Sequence, residues 1–308
     1  MKSIYRGLAL LSLSLGVVSQ VAGQCLSGDC INGESKLREE NGTVKTGMFV
    51  NGWMNGPGKI EYANGDVDEG NFENDILNGE GKKIRTNGMR EEGRYSNGQL
   101  TYGLKQLVNG TKIFGNWEGS NMTGEGWVEF PSGERCEGMF VNNKLNGRGK
   151  RETKTYKEEG VYVDGKLTGE GERTSVTNLK YKGTFEAGNF VDGTVTYPDG
   201  SVYTGPLKGD KRVGDGMYTY AVDGSVYVGG FVADKPEGKG VIKYKDGTIV
   251  EATFKADEIV GNATIRYPNG AVYVGPVVSR RLRHGQGMLT TPDGKTTQAT
   301  YDKDKPVK

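Results

Sequence analysis

The chain is 308 residues long with a mass of 33.3 kDa, and its 51 glycines stand against only 9 prolines; glycine is more than twice its ordinary share of about 7 %, without the proline that collagen or Pro/Gly low complexity requires. Apolar residues make up 34 %, too few to fill two thick cores at this length, so the composition predicts a thin architecture. With 40 basic against 39 acidic side chains, no bulk field draws the protein to nucleic acid or to anionic lipid.

Residues 1–23 read as a cleaved secretory signal. Lys2 and Arg6 precede an apolar run from Leu8 to Val18, and Val21 and Gly23 place small residues at positions −3 and −1 of a cleavage site. The run is too short to cross a bilayer, and no later stretch approaches the ~20 apolar residues of a spanning helix. Lipidation at Cys25 is an alternative, but Gln24 stands where a small residue is expected before a lipidated cysteine. Loss of the leader leaves 38 basic against 39 acidic residues. Cys25 and Cys30 enclose a four-residue loop that can close as a disulfide in an oxidising compartment. Cys136 is left over and reads as a small buried hydrophobe within a repeat.

From about residue 43 the pattern of Tyr181-Lys182-Gly183-Thr184-Phe185 returns at steps of 22 to 24 residues. Its glycine column is Gly47, Gly70, Gly93, Gly115, Gly138, Gly160, Gly183, Gly205, Gly229 and Gly275, with Ala252 and Ala299 in the other two copies. Two residues later come Phe49, Phe72, Tyr95, Trp117, Phe140, Tyr162, Phe185, Leu207, Phe231, Phe254, Val277 and Tyr301. A Gly-x-Gly follows, as in Gly56-Pro57-Gly58 or Gly238-Lys239-Gly240, then an aromatic such as Tyr62 or Tyr244 and a turn dipeptide such as Asn64-Gly65 or Asp246-Gly247. Alternation with period two predicts strands, and the Asn-Gly and Asp-Gly pairs predict hairpin turns. One face is then glycine and aromatic, the other charged. Bare glycine removes the side chain beneath each ring, so the rings are expected to lie on main chain rather than on a second layer. Pro206 and Pro276 follow anchor glycines and predict bulges or bends.

These columns resemble the MORN repeat family, whose motif is Tyr-x-Gly-x-aromatic, a spacer, Gly-x-Gly, an aromatic and a turn glycine; the resemblance covers about residues 43–302. It implies an all-β fold, an elongated single-layer antiparallel β-meander or solenoid of about 12 stacked hairpins. Residues 24–42 would form a degenerate N-terminal cap around the Cys25/Cys30 loop, and residues 303–308 a tail. The third copy, between Gly93 and Gly110, lacks Gly-x-Gly, and the sixth carries a loop at residues 172–179 without the usual turn.

Reactive groupings are sparse. His284, the one histidine, sits in the basic run 280–284 and reads as a solvated turn. Glu39-Glu40, Glu91-Glu92 and Glu158-Glu159 are adjacent in strands and so point to opposite faces, unlike the facing carboxylates of a glycosidase. Asp199, Asp223, Asp246 and Asp293 read as turn residues. No catalytic residue, metal or cofactor is expected. The expected function is an exported, non-enzymatic interaction protein that docks a protein partner or a second copy. Docking would use open sheet edges and an aromatic concave face of Phe49, Phe72, Tyr95, Trp117, Trp127, Phe140, Tyr162, Phe185, Phe231 and Phe254. The resemblance agrees, since MORN proteins serve as scaffolds and dimerisation modules. The competing readings are a cell-envelope glycan- or membrane-associated binding protein and an accessory subunit of an enzyme. A mature charge near zero without a basic amphipathic helix argues against the membrane, and nucleic acid is not an expected partner.

Overall fold

The computed structural model describes residues 23–307, so the expected leader lies outside the described residues except for Gly23. The described residues hold strands and turns and no helix. The chain divides into two compact units, Met1–Val108 and Asn109–Lys308. Each is an antiparallel meander. In the first, strands from Gly23–Ser27 to Gln99–Gln106 pair in chain order. In the second, the same holds from Lys112–Glu118 onward. The hairpins are joined by two-residue turns with positive φ at both positions, as at Asn142 (49°) with Asn143 (67°) and Ala233 (47°) with Asp234 (74°), the turn geometry that matches strand twist.

The anchor glycines face one another across the strands. Gly47 is opposite Gly58, Gly58 opposite Gly70, and Gly70 opposite Gly81. In the second unit the row runs Gly126, Gly138, Gly149, Gly160, Gly171, Gly183 and Gly193. The register shifts by a bulge just beyond this row, between Gly70 and Phe72 or Gly160 and Tyr162, and bulges bend strands.

The bend is large enough to bring a hairpin tip back against the last strand of the hairpin before it. Arg151 is opposite Glu158 in the sheet, and a straight strand would carry Gly165, seven residues farther on, about 23 Å away. Arg151 Nη2 nevertheless donates to the Gly165 carbonyl at 2.8 Å, and Arg173 Nη2 to the Gly188 carbonyl at 2.8 Å. Tip and stem therefore enclose the aromatic column. The returned tips supply the cover, which is how a one-layer meander with few apolar residues buries its aromatic column within each unit.

What fills the space over the glycines changes along the chain. In many copies a long aliphatic side chain seven residues after the anchor does so: a Cβ on Gly81 would stand 2.9 Å from Leu77 Cδ2, and one on Gly149 2.9 Å from Leu145 Cδ1. Where that position holds Arg212 or Pro236, the tyrosine two residues before the anchor lies across the glycines instead. A Cβ on Gly216 would meet Tyr203 Cε2 at 2.6 Å, and one on Gly240 would meet Tyr227 Cε2 at 2.5 Å. The hydroxyl ends of these rings are satisfied: Tyr203 donates to the Pro206 carbonyl (3.0 Å), Tyr227 to that of Gly230 (3.1 Å) and Tyr273 to that of Pro276 (2.9 Å). Phenylalanine could not make this bond.

The prolines interrupt the ladder. Val272–Gly275 stops before Pro276, and the chain resumes at Val277–Val278, paired with Leu282–Arg283 as a separate two-stranded piece. Beside Pro206 the facing strand splits into Lys211–Arg212 and Gly214–Thr219. At the other end, the Cys25–Cys30 disulfide closes the turn before Gly33–Glu39, and the Cys30 amide donates to Ser35 Oγ at 3.1 Å.

Candidate functional site

The sequence assigned ten rings to a docking face, and nine of them are interior. Phe49, Phe72, Tyr95, Trp117, Phe140, Tyr162, Phe185, Phe231 and Phe254 are all at most 5 % exposed. The returning tips cover them, so these rings hold the hairpins together and present no surface to a partner. Trp127, the tenth, is on the opposite face. It is half-buried, stacked on Phe114 with centroids 5.9 Å apart, with the Arg135 guanidinium 4.6 Å from its ring centre.

The interior also holds charge that the sequence reading did not find. Two residues before the anchor the column contains Asp68, Glu91 and Glu158, and two residues after the facing glycine it contains Lys83, Lys105, Arg151 and Arg173. Strand register sets these in alternating rows: Asp68, Lys83, Glu91, Lys105 in the first unit, and Cys136, Arg151, Glu158, Arg173 in the second. Glu158 is 4 % exposed and meets Arg173 Nη2 at 2.7 Å and Arg151 Nη1 at 3.7 Å. Asp68 accepts from Arg85 Nη1 at 2.6 Å and from the Tyr62 hydroxyl at 3.0 Å. Burial, and then the Asp68 charge, push the Tyr62 hydroxyl up to about 12. Burial pushes the Cys136 thiol up as well, keeping it protonated and inert. The neighbours Glu158 and Glu159 diverge as expected, one inside and one in solvent.

A groove of about 520 Å³ lies in the second unit among Tyr220, Ser225, Tyr244, Lys245, Arg280 and Arg281. Its arginines are engaged by the protein itself. Arg280 donates Nη1 to the Tyr220 hydroxyl at 2.8 Å and pairs with Asp257, while Arg281 Nη1 is 2.9 Å from Asp246. The two guanidinium groups lie 5.4 and 4.7 Å from the ring centres of Tyr220 and Tyr244. This arrangement pins the 276–284 hairpin to earlier copies. His284, at its end, is exposed with Nδ1 3.4 Å from Asp302. The turn aspartates act in turns: Asp199, Asp223 and Asp246 each accept from the amide two residues on, at 2.9 Å.

The face turned away from the interior changes character within the second unit. Between residues 135 and 182 it is charged, with Glu137, Lys150 and Glu159 as cross-strand neighbours. Farther on, past Thr194 and Thr204, exposed apolar side chains lie on either side of Glu251: Met217, Val228, Val274 and Met288 are 41–49 % exposed. Met217 neighbours Val228, Val228 neighbours Val241, and Val274 neighbours Met288. The sequence signal is a loss of charge from the positions flanking the core column.

The MORN repeat family matches residues 46–67, 69–90, 114–135, 136–154, 227–249, 251–272 and 282–296. Copies outside those spans continue the same register, Gly93 opposite Gly103 and Gly183 opposite Gly193 among them. No curated relative matches the sequence. Among solved structures, the chain is similar to the wild-type TCP10 domain of CPAP from Danio rerio, at 14 % identity over 89 % of this chain and 97 % of that one, with a TM-score of 0.20. It is also similar to the SAS-4 (dCPAP) TCP domain of Drosophila melanogaster in complex with a proline-rich motif of Ana2, at 13 % identity over 89 % and 99 %, with a TM-score of 0.17. Scores this low carry no argument about function. The repeated glycine row, the aromatic column beside it and the seven matched copies together place this chain in the MORN repeat family, as a repeat protein of the kind that serves as an interaction module.

Proposed function

We propose that this chain is an exported, non-enzymatic scaffold that holds a protein partner on the sheet face turned away from its interior. The observation that carries the reading is the exposed apolar surface at Met217 and Val228 and at Val274 and Met288, on a face that is charged at the equivalent positions from Glu137 to Lys182; exposed apolar surface of this kind marks binding sites. Export draws support from the leader-like residues 1–23 and from the Cys25–Cys30 bond, which suits an oxidising compartment. Residues 24–42 then serve as the cap of the array. The glycan alternative draws less support, because the rings it needs are interior and Trp127 is covered by Arg135.

Two measurements test this. Intact-mass analysis of the protein from its own cell should give a chain beginning at Gln24 with one disulfide; an uncleaved, reduced chain would refute export. A photoreactive side chain at Val228 should form a protein adduct and one at Glu159, on the same face, should not. No adduct at either position would refute the docking face.

A further inference from the structure

Two departures from the repeat meet in one place. Stem turns such as 62–66, 130–134, 197–201 and 244–248 put five residues between paired strand ends, whereas 220–225 puts six. Hairpin tips such as 142–143 and 233–234 hold two residues between paired positions, whereas 279–281 holds three. The extra residue of the turn is Val222. Without it the segment reads Tyr220-Ala221-Asp223-Gly224-Ser225, the pattern of Tyr197-Pro198-Asp199-Gly200-Ser201. Sixty residues separate Tyr220 from Arg280, yet their side chains bond at 2.8 Å, and both longer segments line the groove of about 520 Å³. Val222 is 91 % exposed, so it adds nothing to the core while forming part of the groove wall. Other copies fold with the shorter turn and the shorter tip, so the fold by itself does not account for either insertion.

We infer that this groove is a saccharide site that seats one pyranose ring, free or at the end of a glycan, between Tyr220 and Tyr244. Ile242 and Ser225, 1 % and 4 % exposed, make its floor. The two tyrosines end strands that lie two spacings apart, about 10 Å, which leaves room for one saturated ring with its C–H faces toward them. The charges in and beside the groove balance, with Lys245, Arg280 and Arg281 against Asp223, Asp246 and Asp257. Neither an anion nor a cation gains from that balance. The ligand that suits it carries groups that both donate and accept, as sugar hydroxyls do.

The polar groups are also held in place beforehand. A guanidinium carries five donors, and the bonds to Tyr220, Asp257 and Asp246 orient Arg280 and Arg281 without using them all. Asp223 Oδ1 is held by the Ser225 amide and hydroxyl at 2.9 and 2.7 Å. A concave site of about 300–1,000 Å³ with apolar walls and a few oriented polar groups is the common form of a small-molecule site. A peptide also donates and accepts, but as a continuous strip. The ties from the tip to the two turns, Arg280 to Tyr220 and Arg281 to Asp246, bound the groove on the scale of a ring. The rings used here belong neither to the interior column nor to Trp127. Ile242 is interior, so the groove opens on the opposite side of the sheet from Met217 and Val228, and the site goes beyond the scaffold reading.

Saturation-transfer NMR titration of the mature chain tests the inference. The probes are methyl glycosides of glucose, galactose, mannose and N-acetylglucosamine and linear trimers of the same sugars, with acetylated, amidated alanine and glycine tripeptides as counter-probes. At least one sugar should bind with a dissociation constant near or below about 1 mM. A trimer that binds more tightly than its monomer marks the end of a glycan, and equal affinities mark a free sugar; both support the inference. Deletion of Val222, which restores the ordinary turn, and Tyr244→Ala should each weaken binding more than about tenfold with far-UV dichroism unchanged. Val161→Lys, exposed on the outward face, should leave binding intact. No sugar bound by the wild type at about 10 mM, binding indifferent to both groove variants, or tripeptides bound in place of sugars overturns the inference.

Discussion

The ring of Tyr227 occupies the volume that a side chain at Gly240 would need. A Cβ there would lie 2.5 Å from Tyr227 Cε2 and 2.7 Å from its hydroxyl oxygen, and the backbone at Gly240 is not in the left-handed region. The glycine is present for space alone. Across the sheet Gly240 faces Ala252, and the residue two before Ala252 is Val250 rather than tyrosine. The alanine is tolerated because no ring lies over it. Gly240→Ala should therefore cost about 1–3 kcal/mol in urea unfolding, the usual range for overpacking. Gly238→Ala, at φ +77° with nothing near its Cβ, should cost about 1 kcal/mol through backbone strain alone. Combining Gly240→Ala with Tyr227→Val should cost less than the sum of the single changes; strict additivity would mean that the ring and the glycine are not coupled.

Glu158 and Glu159 are neighbours in sequence with opposite energetic roles. Glu158 is 4 % exposed between two arginines, whereas Glu159 meets Lys150 at 3.2 Å with both side chains about two-thirds exposed. Removing the inner carboxylate leaves two partly buried cations facing each other. Glu158→Ala should destabilise by about 2–4 kcal/mol, below the full cost of a broken buried pair because the arginines retain some water. Glu159→Ala should change stability by less than about 1 kcal/mol. Equal effects in chemical denaturation would show that the inner row is solvated in solution.

Strands, turns and the facing glycines were legible because each leaves a local mark: period two, Asn-Gly or Asp-Gly pairs, and a column that admits nothing larger than alanine. The return of the tips was not, since it depends on contacts such as Arg151 to Gly165 between residues with no shared local pattern. Without it the rings of Phe49 or Phe185 read as an open face, when they are 1 % and 0 % exposed. The inner charges were equally hidden. Alternation identifies which residues share a face, but Glu158 and Glu159 are the same residue type, and only the tip above one of them decides which is buried.

Alkaline pH should unfold the protein in a defined window. Burial pushes the hydroxyls of Tyr203 and Tyr227 up to about 12, against about 10 in an unfolded chain. A raised acid group in the folded state means that the unfolded chain releases its protons first, so stability is complete below about pH 10 and falls as pH rises toward 12. Lys45 acts in the same direction. Burial pulls its ammonium down, but Asp75 and Glu39 outweigh that and hold it above its ordinary value. Urea midpoints should be level from neutral pH to about 9 and then drop, with tyrosinate absorbance from these rings rising only as dichroism is lost. Tyrosinate forming at an ordinary midpoint in a chain with native dichroism would contradict the burial of these rings.

Asp75 ties one hairpin tip to the hairpin before it, and the same device recurs with different residues. Its amide donates to the Met54 carbonyl at 3.0 Å, its Oδ1 accepts from the Met54 amide at 2.8 Å, and its Oδ2 meets Lys45 at 2.7 Å. Asn143 does this for Met122 (3.1 and 2.7 Å), and Asp304 for Arg283 (2.9 and 2.8 Å). Where the tip residue is Gly98 or Gly165, the amide-to-carbonyl bond remains and the side-chain half of the pair is lost. Asp75 also sits at φ 66°, which aspartate and asparagine accept more readily than alanine. Asp75→Asn should keep the bond to Met54 and lose only the pairing with Lys45, costing about 0.5–1 kcal/mol. Asp75→Ala loses both and adds backbone strain, for about 2–3 kcal/mol. Exchange of the Met54 amide with deuterium separates the contributions, since it should accelerate in Asp75→Ala and Asp75→Gly and stay near wild type in Asp75→Asn. Equal acceleration in the asparagine variant would mean that the charge on Asp75, rather than its hydrogen bond, holds the tip in place.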